Sequence, residues 1–528
     1  MNETIKLFIE KGYLVEPNFL TRLENDEDRE LILRFIENNF IDNERPVVLD
    51  ENLFLLVKKH NVPKLDWMEF ERSKVDVEKG RDSRLYDDFV EIIDCKEEEK
   101  SYAKPEIKNE SGVLILKNYK ENVKKREVQD FVKYFKNRYE SLKNILKTRP
   151  ELVDATSINR ILNRDRGQIS IIGIVSNKKE SKNGNIILTV EDLTGQINVI
   201  VNSNKKELFE LAKDTLMDEV IGIVGMISKD VIFCNNLIYP DVPIGNGLKK
   251  CDEEVYAAFI SDIEFGSKLF FKNEFLRFID WINGKNGSQE QLNIANKVKY
   301  LFISGDNVAG VGVYPGQEND LDVLDIYDQY KQFTDYIKTI RNDVEIIICG
   351  GNHDALRLSE PQPVINRDLA PDLHEMSNVH LITNPSLVNI HSSENFPGFD
   401  VLVYHGGSFP YIAENVDSIR KAGRLKRIDL IMKYIIQRRH LAPSHSSTLY
   451  IPDIEKDNLV IDKVPDLFVS GHIHDTTIAN YRNITLMNAG CWTGITENQE
   501  KRGLIPDPCK AFMVNLKTRE IKVLNFKD

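Results

Sequence analysis

The spacing of hydrophobic positions changes along the chain and divides it into segments. Residues 1–59 carry apolar side chains at helical intervals, as at Leu31, Ile32, Leu33, Phe35 and Ile36, and predict a small N-terminal helical module. Residues 60–112 are charge-dense and weakly periodic, through KVDVEKGRDSRLYDD and DCKEEEKSYAKPEIKNE, a composition that predicts a flexible linker. A helical connector is expected over 113–166, centred on VQDFVKYFKNRYESLKNIL. Its apolar positions are Phe131, Val132, Tyr134, Phe135, Leu142 and Ile145, and Pro150 closes it.

From residue 167 to 245 the period shortens to that of strands. QISIIGIVSNKKESKNGNIILTVEDLTGQINVIVN alternates β-formers with turn residues, and the helical patch ELFELAKDTLM separates it from EVIGIVGMISKDVIFCNNLIY. Strands with one helix between the third and the fourth predict an oligonucleotide/oligosaccharide-binding (OB) barrel. The loop between its first two strands holds Lys178, Lys179 and Lys182, where such barrels contact single-stranded nucleic acid. A solvated hairpin tip on a barrel used only for packing is the competing reading, and few aromatics interleave with these lysines.

Pro243, Gly245 and Gly247 mark a boundary, and residues 250–528 form another regime. Apolar runs repeatedly end in polar residues: AAFISD, KYLFISGD, EIIICGGNHD, VLVYHGG and LFVSGHIH. In layered α/β folds the carboxyl ends of buried strands converge on one edge, so these ends can build one site.

Composition narrows what that site can do. The formal net charge of −13 argues against gripping nucleic acid by bulk positive charge. Of ten histidines only His60 precedes residue 350, which places the chemistry in the second half. The six cysteines show no CxxC spacing, so neither a disulfide framework nor a thiolate zinc site is expected. The start, MNETIKLFIEKGYLVE, lacks the basic segment and apolar core of a secretory signal. No run approaches the ~20 apolar residues of a membrane span. A cytoplasmic protein with no membrane contact is expected.

The ordered polar set is Asp262, Asp306, Asn352, His353, His405, His472 and His474. Carboxylate and amide oxygens suit hard divalent ions, and imidazole adds affinity for Mn, Fe or Zn. Two such ions roughly 3.5–4 Å apart would clamp a phosphate and acidify a water between them. GHIH alone is a weak signal, because two histidines at a strand end are often merely exposed. GGNHD is stronger, because its glycine pair allows close backbone approach. His391 and His440 follow no such pattern and are expected to be structural.

The order of these motifs resembles the calcineurin-like metallophosphoesterase superfamily. FISGDNVAGVGVYPGQENDLDVLDIYDQY, GGNHDALRLSEPQP, YHGGSF and RRHLAP more closely resemble the small subunits of archaeal family D DNA polymerases, from about residue 115 to the C-terminus. With the N-terminal helical module read from apolar spacing, the expected fold is a multidomain α/β and β protein in which the resemblance implies the OB barrel and a C-terminal layered α/β phosphoesterase domain. The resemblance implies two divalent ions, Mn first and Mg or Fe as alternatives. Asp262, Glu264, Asp306 and His474 would hold one, and Asp306, Asn352, His405 and His472 the other. His353 would face the scissile phosphate as acid, with Asp354 as its orienting partner.

Two positions depart from the superfamily pattern. Glu264 stands where a histidine is expected, and Ala309 where GD-x-x-D would place a carboxylate. The implied function is a proofreading 3′→5′ exonuclease acting on single-stranded DNA or a primer 3′ end beside a large catalytic polymerase subunit. The alternatives are a noncatalytic scaffold with a partly degenerate site, and a free phosphatase, which the barrel disfavours.

Overall fold

The computed structural model describes residues 112–120, 125–162, 166–495 and 505–527, with Phe8, Leu14–Val15, Val48–Leu49 and Glu500. The chain divides into two units, Met1–Glu106 and Ile107–Asp528. In the first, Leu14–Val15 pairs in parallel with Val48–Leu49, and Phe8 is buried. The rest of the expected helical module and nearly all of the expected linker lie outside the described residues.

The second unit opens with strand β1 (Val113–Lys117), which corrects the expectation of a purely helical connector over 113–166. VLILK is aliphatic at four of five positions, and it pairs antiparallel with Ser386–Ile390 far along the chain. Helix α1 (Val128–Lys147) follows, its start satisfied by a capping box between Glu127 and Asp130. Its buried face is Tyr134, Arg138, Tyr139, Leu142 and Leu146, whereas Phe131 and Val132 are exposed. The face expected from apolar periodicity is therefore rotated, because α1 docks on a polar anchor. Fully buried Asp457 accepts from Tyr134 Oη and Arg138 Nε, each at 2.7 Å, and pairs with His440 Nε2 at 2.8 Å.

Strands β2 (Arg166–Glu180), β3 (Ile186–Asp192), β4 (Gly195–Val201), β5 (Val220–Ser228) and β6 (Val231–Ile238) close a barrel in the order β2-β3-β4-β6-β5. Helix α2 (Lys206–Asp214) sits between β4 and β5, the placement expected of an OB fold. The barrel meets the following domain at Glu219, whose carboxylate pairs with buried Arg438 at 3.2 Å. That guanidinium lies 3.5 Å from the Tyr239 ring centre and 4.0 Å from that of Tyr434.

The remaining chain builds two facing sheets. Strands β7 (Tyr256–Ile260), β8 (Val298–Ser304), β9 (Glu345–Cys349) and β10 (Val379–Leu381) run parallel, with helix α3 (Lys272–Ile282) after β7 and helix α4 (Ile326–Ile337) after β8. Strands β11 (Ser386–Ile390), β12 (Phe399–Val403), β13 (Leu467–Ser470), β14 (Thr476–Tyr481) and β15 (Ile484–Ala489) form the second sheet with β1. Helix α5 (Ile428–Arg438) precedes β13. Strands β16 (Lys510–Asn515) and β17 (Ile521–Asn525) complete the first sheet. The orders are β10-β9-β8-β7-β16-β17 and β14-β15-β13-β12-β11-β1.

Alternation along each strand makes the layers. Phe259, Phe302, Ile347, Val401, Val403 and Val469 fill the space between the sheets. Their neighbours Ala258, Ile260, Leu301 and Ile303 pack against Phe275, Phe278, Tyr330 and Phe333 on one outer side, and Leu402 and Phe468 pack against α5 on the other. Stacked Phe259 and Phe302, 5.0 Å apart, lie at the centre of the inter-sheet core. Truncating one such buried ring to alanine costs about 3–5 kcal/mol. Among the described residues no helix is long and apolar enough to cross a membrane, and Cys234, Cys251, Cys349, Cys491 and Cys509 are buried and unpaired.

Candidate metal centre

Parallel strands with both faces buried leave only their ends for polar chemistry. Asp262 lies two residues beyond β7, Asp306 two beyond β8, Asn352 three beyond β9, His405 two beyond β12 and His472 two beyond β13. Both sheets thus deliver their ends to one edge. The turns are tight, and four non-glycine residues there adopt left-handed backbone: Asp262 (φ 50°), Glu264 (φ 53°), Asp306 (φ 49°) and His472 (φ 66°). Each such conformation costs about 1–3 kcal/mol, and clusters of them mark functional sites. Close approach needs glycine as well, since a Cβ on Gly351 would collide with the Asp306 carboxylate.

Three carboxylates, Asp262, Glu264 and Asp306, are buried together. Asp306 Oδ2 lies 3.3 Å from His405 Nε2, and Asp306 Oδ1 accepts from the His353 N–H at 2.8 Å. His405 Nδ1 donates to the Ser304 carbonyl at 2.8 Å, so its Nε2 is the nitrogen that faces the site, 3.0 Å from Asn352 Oδ1. His474 Nε2 is 3.4 Å from Asp262 Oδ1 and 3.3 Å from Glu264 Oε1. The His472 N–H donates to the Asp262 carboxylate, and the His472 and His405 rings are 5.2 Å apart.

Two ligand groups each gather donor atoms within 4.8 Å of one another, Asp306 with His405 and His472, and Glu264 with Asp306 and His353. Asp306 belongs to both. Three buried carboxylates demand compensating positive charge, and His353, His405 and His474 are all raised toward the imidazolium form that meets it; the same carboxylate, amide and imidazole donors fit divalent cations, which would displace those protons. Burial opposes the charge on His405, but Asp306 outweighs it and pushes the pKa up to about 10. Burial likewise opposes ionisation of Asp306, yet His405 and His353 hold it well below the usual carboxylate range. Burial and the neighbouring His405 push His472 down to about 3, leaving it neutral.

His353 is placed by the backbone. Its Nδ1 donates to the Ala309 carbonyl at 2.9 Å, which corrects the expectation that Asp354 orients it. The Asp354 carboxylate instead accepts from Gly351 N, Asn307 N, Asn307 Nδ2 and Tyr330 Oη at 2.8–3.2 Å, bracing the loop that carries Asn352 and His353. Burial, with the charge of Asp306 added, lifts the Asp354 carboxyl to about 6. For His353, burial opposes protonation but Asp306 and Glu264 outweigh it, raising its pKa.

Several partners carry no motif of their own. Asn384 Oδ1 accepts from His405 N, and Gln362 joins Asn384 Nδ2 to the Gly351 carbonyl. Cys491 lies beside His474. In the barrel, Lys178 Nζ donates inward to the carbonyls of Lys213 and Thr215, each at 2.7 Å. It is therefore withdrawn from the expected DNA-binding set, because a half-buried ammonium takes the nearest carbonyls. Lys179 and Lys182 are exposed.

The two-sheet body, whose strand ends gather carboxylates and imidazoles, is joined to an OB barrel, and family models match both parts. The family model for the B-type subunits of DNA polymerases alpha and epsilon matches residues 295–478, and that for an OB-fold nucleic acid binding domain matches residues 169–236. The chain is 33% identical to the DNA polymerase II small subunit of Methanothermobacter thermautotrophicus, over 96% of each chain. With that of Thermoplasma acidophilum it shares 36% identity over 84% of this chain and 87% of the relative. With that of Archaeoglobus fulgidus it shares 37% over 72% and 74%. The chain belongs to the DNA polymerase II small-subunit family, the small subunits of family D DNA polymerases.

Proposed function

We propose that this protein is a 3′→5′ exonuclease that removes nucleotides from a primer or single-stranded 3′ end for a large catalytic polymerase subunit. The observation that carries the reading is Asp306, shared between two ligand groups with His353 beside it. Two divalent ions, Mn in first place, would polarise the phosphoryl oxygens and acidify the attacking water when bound. Asp262, Glu264, Asp306 and His474 would hold one, and Asp306, Asn352, His405 and His472 the other.

The chain's own residues supply the rest. His472 offers a nitrogen lone pair as it stands, and His405 offers one once a cation displaces the proton that Asp306 stabilises. His353, with Nδ1 fixed on Ala309, has Nε2 left to carry a proton to the departing O3′ as the P–O3′ bond breaks. The exposed Lys179 and Lys182 offer the strand a phosphate contact on the barrel.

A second reading, a scaffold that stabilises the large subunit, is favoured by Glu264 in place of an expected histidine ligand and by the buried methyl of Ala309 in place of a carboxylate that would orient the site. The test is nucleotide release from 3′-labelled single-stranded DNA by the assembled two-subunit enzyme in Mn. Release by wild type and its loss in Asp306→Asn are expected. No release, with normal partner binding, leaves the scaffold.

A further inference from the structure

The stretch GVGVYPGQE, residues 310–318, contributes no side chain to either ligand group, yet it borders the site. Its Gln317 is buried, at 2% exposure, and donates from Nε2 to the Ala309 carbonyl at 2.8 Å. Gln317 Oε1 accepts from Val313 N at 2.8 Å, so the amide is used at both ends. The Ala309 carbonyl is the one that accepts from His353 Nδ1.

On the other side of the same peptide, Gly310 N donates to Gln329 Oε1 at 2.9 Å. Gln329, fully buried on α4, returns Nε2 to the carbonyls of Gly310 and Val323 at 3.2 and 2.7 Å. The peptide joining Ala309 to Gly310 is thus held by its oxygen and by its N–H through two different side chains. That grip has a physical need. Gly310 sits at φ 74°, and a peptide next to a glycine can rotate between turn types at little cost. Such a rotation would swing the Ala309 carbonyl off His353.

We propose that Gln317 and Gln329 are positioning residues for His353: they clamp the Ala309–Gly310 peptide so that its carbonyl holds the imidazole through Nδ1. The catalytic consequence rests on the reading of His353 as acid, whereas the clamp does not. The clamp takes the role that the Asp354 carboxylate was expected to play.

The test uses the full chain labelled with 15N-histidine, in chelator. The His353 Nδ1–H resonance is assigned by its absence in His353→Gln, and its solvent exchange is measured in Gln317→Met and Gln329→Met. Both variants should exchange that proton at least tenfold faster. In the assembled enzyme, kcat should fall on the order of tenfold to a hundredfold with KM and Mn affinity unchanged. Unchanged exchange in the folded variants overturns the proposal. Faster exchange with unchanged cleavage upholds the clamp and removes His353 from the chemistry. If Gln317→Met does not fold, Gln317→Glu, which keeps an acceptor for Val313 N but loses the donor to Ala309, gives the same readout. An unperturbed resonance there is equally fatal.

Discussion

The imidazole of His353 is held by a main-chain oxygen, that of Ala309, at 2.9 Å, while its own N–H binds the Asp306 carboxylate at 2.8 Å. The residue is thereby tied to the shared ligand through its backbone and to the neighbouring loop through its ring. His353→Ala should therefore lower nucleotide release by ~10² or more, the usual loss for a positioned acid. Calorimetric Mn binding should keep two events. Loss of one event would instead make His353 a ligand of the ion shared by Glu264 and Asp306.

Asp306 and His405 test the sharing. Asp306→Asn should weaken both cation sites together, because only Asp306 belongs to both donor groups, whereas His405→Ala should weaken one and His474→Ala, whose Nε2 faces Asp262 and Glu264, the other. Titration calorimetry with Mn on the full chain reads the difference directly. Two intact binding events in Asp306→Asn would refute the bridge.

The strand ends were legible because buried parallel strands read as apolar runs, so the polar residue that stops each run announces itself. Asp262, Asp306 and His405 each follow a strand that is buried along nearly all of its length. The barrel was legible from its short strand period and its single intervening helix. What escaped has a common cause, since it depends on carbonyls or on distant polar partners that leave no periodic trace. The Ala309 oxygen replaced the expected Asp354 contact. Asp457, more than three hundred residues away, turned α1 toward Arg138. Strand β1 was hidden because an isolated VLILK does not reveal that its partner lies at Ser386–Ile390. Lys178 departs from expectation because the exposure of a hairpin lysine is decided by the carbonyls within its reach.

Glu360 gives a pH test of the loop beside His405. Burial pushes its carboxyl to about 8, and its Oε2 accepts from Tyr404 Oη at 3.0 Å. A folded pKa above the unfolded value means that the native state binds the extra proton. The stability it contributes is full below about 4.5 and is lost as pH rises through about 8. Glu360→Gln should therefore change the unfolding midpoint little at about pH 5 and raise it relative to wild type at about pH 8.5. Thermal unfolding in chelator at the two values checks this. An equal shift at both would remove ionisation from the account.

Glu264 holds left-handed backbone at φ 53°, and its buried carboxylate shares the site with Asp262 and Asp306 while facing His474 Nε2 at 3.3 Å. Asparagine visits that region several-fold more often than other non-glycine residues and is neutral. In chelator, Glu264→Asn should therefore melt higher than wild type, by an amount corresponding to about 1 kcal/mol. Bound Mn stabilises in proportion to RT ln(1 + [L]/Kd), about 2.7 kcal/mol at a hundredfold excess over Kd. If Glu264 is a ligand, wild type gains that stabilisation and the variant gains less, so added Mn should reverse the order of the two midpoints. A variant less stable than wild type in chelator would refute the strain argument. Equal gains from Mn would show that the carboxylate does not touch the ion, which would leave the scaffold reading ahead for this half of the site.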